Sequence, residues 1–215
     1  MKFILSALVL MASFAASAEV YKIDTKESSV AWKGMKKTGS SHDGHIAVKE
    51  GTVTLGKAGE IEKGDVVIDM KTISNSDLKD SPDYQKKLVG HLSNEDFFNV
   101  TKYPTSTFKI TKVTPKAVAG KAAKKADKKD KSAAQPLEQE VTVTGEFTMI
   151  GQTHPIEFPA KIVNNQGVLT GEALVKIDRT KWGLKYGSGN FFKELTADKI
   201  ITDEFELTLK LVAKK

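Results

Sequence analysis

Residues 141–149, VTVTGEFTM, place Val141, Val143, Phe147 and Met149 on one face and Thr142, Thr144, Glu146 and Thr148 on the other. A period of two marks a strand with one dry and one wet face. The pattern constrains this chain most because it recurs. Ile156, Phe158, Ala160 and Ile162 share a face in IEFPAKI, Leu169, Ala173, Val175 and Ile177 in LTGEALVKI, and Phe205, Leu207, Leu209 and Leu211 in FELTLKL. The first half adds SVAWKG with Val30 and Trp32, GTVTL with Val53 and Leu55, GDVVIDM with Val66, Ile68 and Met70, and STFKI with Phe108 and Ile110. Gly59, Gly151 and the run NNQG (164–167) punctuate these segments in the manner of antiparallel hairpins. About eight strands with little room for crossover helices predict an all-β antiparallel sheet closed into a barrel, because an open sheet of that size leaves its edges exposed.

Helix signals are confined to residues 80–99. Asp80 and Ser81 can cap a helix with Pro82 in its first turn, and Tyr84, Leu88 and Leu92 recur every four residues along one side. Ser93 with Asp96 resembles a second cap, which predicts that the helix breaks and restarts. That turn carries the adjacent rings Phe97 and Phe98; neighbours on a helical turn are about 100° apart, so both can enter apolar space, Phe97 as core and Phe98 toward the barrel.

The N-terminus, MKFILSALVLMASFAASAEV, has a basic start, a short apolar run and an Ala16-x-Ala18 pattern. This predicts a signal peptide over residues 1–18, cleaved after about Ala18, and export of a 19–215 domain. The apolar run falls short of the roughly 20 residues a membrane helix needs, so no stable membrane insertion is expected. There is no cysteine, hence no disulfide or lipid attachment, and the fold must rest on packing. The net charge of +6 is concentrated: residues 116–131 carry seven Lys and two Asp with no aromatic. Such a run reads as a disordered, Lys/Ala-rich insertion at about 116–136 rather than a nucleic-acid-binding face.

Catalytic signals are thin. The sequence has no G-x-S-x-G elbow, phosphate loop or H-E-x-x-H. His42 and His45 with Asp43 make an H-x-x-H in what reads as a loop, but no further ligands follow at zinc spacing. His91 is expected to make a structural hydrogen bond near the helix cap, and His154, before Pro155, to be exposed. No catalytic residue and no metal ligand is assigned. The segment IDRTKWGLKYGSGNFF (177–192) carries Trp182, Tyr186, Phe191 and Phe192 among three glycines. It reads either as a turn with core rings or as a ring-lined lip over a cavity. Both suit an eight-stranded barrel, whose interior can be filled or can hold one small ligand.

Four segments also resemble the YceI-like family of periplasmic polyisoprenoid-binding proteins. HLSNEDFFNVTKYPTSTF (91–108) is similar to its His-Leu, Asp-Phe-Phe, Tyr-Pro stretch, VTGEFTMIGQTHPIEF (143–158) to its Gly-centred hairpin, IDRTKWGLKYGSG (177–189) to its Arg-x-x-aromatic-Gly strand, and IDTKESSVAWKG (23–34) to its opening strand pair. The resemblance implies a lipocalin-like barrel whose tunnel holds an isoprenoid or fatty-acid-like chain, and no catalysis. On it, Trp32, Phe97, Phe98, Tyr103, Phe108, Phe147, Phe158, Trp182, Tyr186 and Phe205 are expected to line or gate the tunnel. The implied protein is a periplasmic binder or carrier of a polyisoprenoid, quinone or fatty-acid-like lipid, needing no cofactor beyond a bound lipid of that kind and contacting no nucleic acid, with a homodimer left open. The competing readings are an enzyme acting on a lipid or small metabolite and a stress-related structural protein with a filled barrel.

Overall fold

The computed structural model describes residues 18–116 and 137–215. The expected signal peptide and nearly all of the Lys/Ala-rich insertion lie outside the described residues. The elements are β1 (Glu19–Ile23), β2 (Ser29–Met35), β3 (Ser41–Leu55), β4 (Ile61–Asn75), α1 (Pro82–Ser93), β5 (Thr105–Pro115), β6 (Leu137–Met149), β7 (Gln152–Asn165), β8 (Val168–Asp178) and β9 (Glu204–Lys214), with a 3-10 turn over Arg179–Trp182. Strands β2 to β9 each pair antiparallel with the next, and β9 returns to β2 through pairs such as Trp32 opposite Leu207. The ring is the all-β, eight-stranded antiparallel barrel expected, with one short helix in the 80–99 region.

Alternation fixes which side chains fill the ring. Val141, Val143, Phe147 and Met149 of β6 are buried, as are Leu169, Val175 and Ile177 of β8. At the β6–β7 hairpin Ile150 and Gly151 have φ of 45° and 76°, and at β7–β8 Gln166 and Gly167 have 50° and 86°. Two-residue loops with both φ positive match the twist of paired strands.

Three local features differ from the sequence reading. β1 lies outside the eight alternating segments; it pairs with the end of β3 (Tyr21 opposite Val53) and of β9 (Ile23 opposite Ala213) and buries Tyr21 and Ile23 there. SSHDGHI is not a loop, because β3 already starts at Ser41. The helix does not restart after Ser93: the Ser93 hydroxyl donates back to the Val89 carbonyl at 2.7 Å, and the chain turns on Asn94, whose carbonyl accepts the Phe97 and Asn99 N–H groups at 3.2 and 2.8 Å. Tyr84, at one end of the i, i+4 row, is exposed, whereas Leu92 is buried.

The connections sort onto two ends. The β2–β3 and β6–β7 hairpins, α1 and the β8–β9 connection share one end; the β3–β4 and β7–β8 hairpins, Pro115 and Leu137 share the other, where β1 fills the wall between the ends of β3 and β9. Gln85 Nε2 donates to the Asn75 carbonyl at 2.7 Å, which ties α1 to the end of β4.

Candidate functional site

The barrel is filled in one half and hollow in the other. In the β1 half, Val66, Val141, Val143, Phe158 and Val175 pack into the core with Tyr21. In the α1 half lies a cavity of about 630 Å³. Its walls are Val30 and Trp32 of β2, Ile46 of β3, Ile68, Met70 and Ile73 of β4, Ser106 of β5, Phe147 and Met149 of β6, and Phe205 and Leu207 of β9. Leu88, His91 and Leu92 of α1 cover it with Phe97 and Phe98, and it reaches the surface among the exposed side chains of Lys36, Tyr186, Phe192 and Lys199.

The wall rings are held by specific partners. Trp32 Nε1 donates to the Ser74 carbonyl at 3.0 Å. That bond requires glycine at position 44, since a Cβ there would collide with the Ser74 carbonyl and lie 2.8 Å from Trp32 Nε1. Phe97 meets Phe98 and His91 edge-on at centroid distances of 5.7 and 5.4 Å, and His91 meets Tyr186 at 4.5 Å. Phe97 belongs to the buried core, as expected, and also lines the cavity beside the half-buried Phe98. His91 does not make the expected structural bond through Nε2, which is buried against these rings without a hydrogen-bond partner.

Arg179, also in the lining, is 2% exposed. Its guanidinium donates to three carbonyls, Leu184 at 2.7 Å, Thr202 at 3.0 Å and Ile201 at 3.1 Å, and Asp203 Oδ1 sits 3.8 Å away. Burial pulls its pKa down, and the Asp203 and Asp178 carboxylates oppose that pull. Asp203 Oδ1 has no hydrogen-bond donor, so this ion contact is its compensation. The side chain therefore clamps both ends of the β8–β9 connection over the cavity.

Of the ten aromatics expected to line or gate a tunnel, Trp32, Phe97, Phe98, Phe147, Tyr186 and Phe205 line the cavity. The other four do not. Trp182 is 1% exposed and donates its indole N–H to the Phe147 carbonyl at 3.2 Å, with its ring edge-on to Phe147 and His154; a buried indole needs such an acceptor. Phe108 and Phe158 pair at 5.5 Å, and the Phe108 ring takes the space a Cβ at Gly145 would need. Tyr103 packs over Gly151 at the β6–β7 hairpin. His154 is half-buried against Trp182 rather than exposed.

His42 Nδ1 lies 2.8 Å from Asp77 Oδ2 and His45 Nδ1 3.2 Å from Ser76 Oγ, and among the described residues no group of three His, Cys, Asp or Glu could hold a metal. Sequence reasoning missed the aliphatic wall and Arg179. The wall carries the same alternation as the core, and Arg179 could be found only through the Arg-x-x-aromatic-Gly pattern. Chemically, the site offers a large apolar surface with Ser106 and His91 inside and charge at the mouth, a composition that suits apolar ligands.

The sequence profile described as the YceI-like domain matches residues 21–213. Among curated proteins no relative matches the chain. Several solved structures are similar in fold. BcnA of Burkholderia cenocepacia superposes with a TM-score of 0.60 at 21% identity, over 89% of this chain and 99% of its own. A polyisoprenoid-binding domain from Saccharophagus degradans, implicated in plant cell wall breakdown, gives 0.61 at 15% identity, over 90% and 97%.

Proposed function

Because the chain belongs to the YceI-like family, we propose that it is a periplasmic carrier holding a long apolar lipid, a polyisoprenoid, quinone or fatty-acid-like chain, in the open half of its barrel. The observation that carries this reading is the cavity itself: about 630 Å³ walled by aliphatic and aromatic side chains and open at one end. Ordinary small-molecule sites occupy roughly 300–1,000 Å³. Burial contributes about 0.8 kcal/mol per CH₂, so a five-carbon prenyl unit contributes about 4 kcal/mol before ordering costs. A few such units give tight binding with few polar contacts.

The blind end sets the orientation. With the far half filled by core side chains, the chain enters tail first and its polar end stays at the mouth, near Lys36 and Lys199. The similarity to a domain described as polyisoprenoid-binding supports the ligand class, and the N-terminal pattern supports export. Arg179 and the His91, Phe97 and Tyr186 cluster shape the cover and perform no reaction.

The test is native mass spectrometry and solvent extraction of protein purified from its own periplasm. A stoichiometric isoprenoid or acyl lipid is the expected result. An empty barrel that takes up no fluorescent prenyl probe would sink the carrier reading, and turnover lost on replacing Ser106 or His91 would favour an enzyme.

A further inference from the structure

We propose that the mouth of the barrel is a docking face for anionic membrane surfaces, built on Tyr186, Phe191 and Phe192 with Lys37, Lys185 and Lys193; it rests on the carrier reading, since it places the exit of the cavity against the bilayer.

Three of the six large apolar side chains exposed among the described residues lie on the β8–β9 connection: Tyr186 at 45%, Phe191 at 48% and Phe192 at 40%. Their exposure is built in. The N–H groups of Phe191 and Phe192 both donate to the carbonyl of Ser188, at 3.1 and 2.9 Å, and Ser188 is fully buried. Asn190 Nδ2 donates to Asp203 Oδ2 at 2.6 Å, which pins the same turn to the start of β9. The rings are therefore presented outward by a fixed backbone.

Lysines surround them. Lys185 Nζ stands 4.7 Å from the Phe191 ring centroid, Lys193 follows the pair, Lys37 and Lys193 flank a shallow cleft beside Asn190, and Lys36 and Lys199 stand at the cavity rim. The acidic groups on these elements are Glu194, Asp198, Glu204 and Asp203, the last held by buried Arg179. The face stays positive. Aromatic rings beside lysines suit the boundary between anionic headgroups and acyl chains. A second copy of the chain fits worse, because a two-fold interface would set this positive face against itself. Continuity with the cavity completes the argument: Tyr186 and Phe192 belong both to the exposed face and to the lining, so a lipid leaving the barrel passes directly into a docked bilayer.

The experiment is vesicle flotation of the mature full-length protein with phosphatidylcholine vesicles and with vesicles containing 30% phosphatidylglycerol. Binding is expected only to the anionic vesicles and should weaken as salt rises. Phe191→Ser should reduce it about tenfold and Lys37→Ser or Lys193→Ser about fivefold each. None of these three residues lines the cavity, so prenyl-probe affinity in solution should be unchanged. That second readout separates failure of docking from failure of the carrier reading. Absence of binding to anionic vesicles would overturn the proposal. So would binding that survives Phe191→Ser and disappears when residues 117–136 are replaced by a Gly-Ser loop, or a dimer in solution that Phe191→Ser dissociates.

Discussion

Replacing Ser106 by Leu should stabilise the protein while weakening its ligand binding. Ser106 is 2% exposed, pairs with Ile68 across β4 and β5, and faces the cavity. Leucine there adds three carbons to a space of about 630 Å³. At about 0.8 kcal/mol per buried CH₂ the unliganded protein should gain up to about 2 kcal/mol, and a ligand that loses the same apolar contacts should bind about tenfold more weakly or worse. Val143 supplies the contrast: it points into the filled half, so Val143→Phe should overpack and cost about 1–3 kcal/mol. Urea unfolding of both variants, with titration of a fluorescent prenyl probe, reads the two effects separately. If Ser106→Leu lost stability as Val143→Phe does, or left probe affinity intact, the hollow half would not be the binding site.

Trp182→Ala should cost about 3–5 kcal/mol by chemical denaturation yet leave the folded fraction's probe affinity close to wild type, since the ring packs outside the cavity. Arg179→Met should cost a similar ~3–5 kcal/mol because it strands Asp203 and three carbonyls, with protease cleavage of the β8–β9 connection as a second readout. Asp77 is pushed up by burial, but the Asp43 N–H, His42 and Asn75 outweigh this and hold it below the usual carboxylate range. Its contribution is therefore present above about pH 4 and lost as pH falls through the depressed value, so acid unfolding of Asp77→Asn should show a shallower pH dependence there. Replacing residues 117–136 with a short Gly-Ser loop should leave the melting temperature and probe binding nearly unchanged, because loop closure depends weakly on length and the flanking Pro115 and Leu137 lie at the end away from the cavity.

The barrel was legible because inward and outward residues alternate along most strands, and β6 shows it from Val141 to Met149. It blurred in β3, where the register shifts between His45 and Ala47 and again between Val48 and Glu50. A bulge adds a residue and breaks the period, and SSHDGHI reads as a loop besides because Ser, His, Asp and Gly fill every position before Ile46. The site was harder to read. Val66 and Ile68 sit two residues apart on the inward face of β4, yet one belongs to the filled half and the other to the cavity wall. Their difference is height along the barrel axis, a quantity that periodicity does not encode. Trp182 shows the same limit for rings: its place is decided by a bond to Phe147, 35 residues away, and nothing local distinguishes it from Tyr186.

The order of strands around the ring also bears on how the molecule is made. Seven of the eight barrel ladders join strands consecutive in the chain; the β2–β9 seam alone joins residues such as Val30 and Leu209. Local hairpins can form early, whereas the seam must await the last strand and carries most of the entropic cost of closure. Before that step the inward faces of β2 and β9 have no interior to enclose. The hollow half is thus a property of the finished ring: a chain arrested short of the seam has twisted sheet and two open edges, but nowhere to keep a lipid.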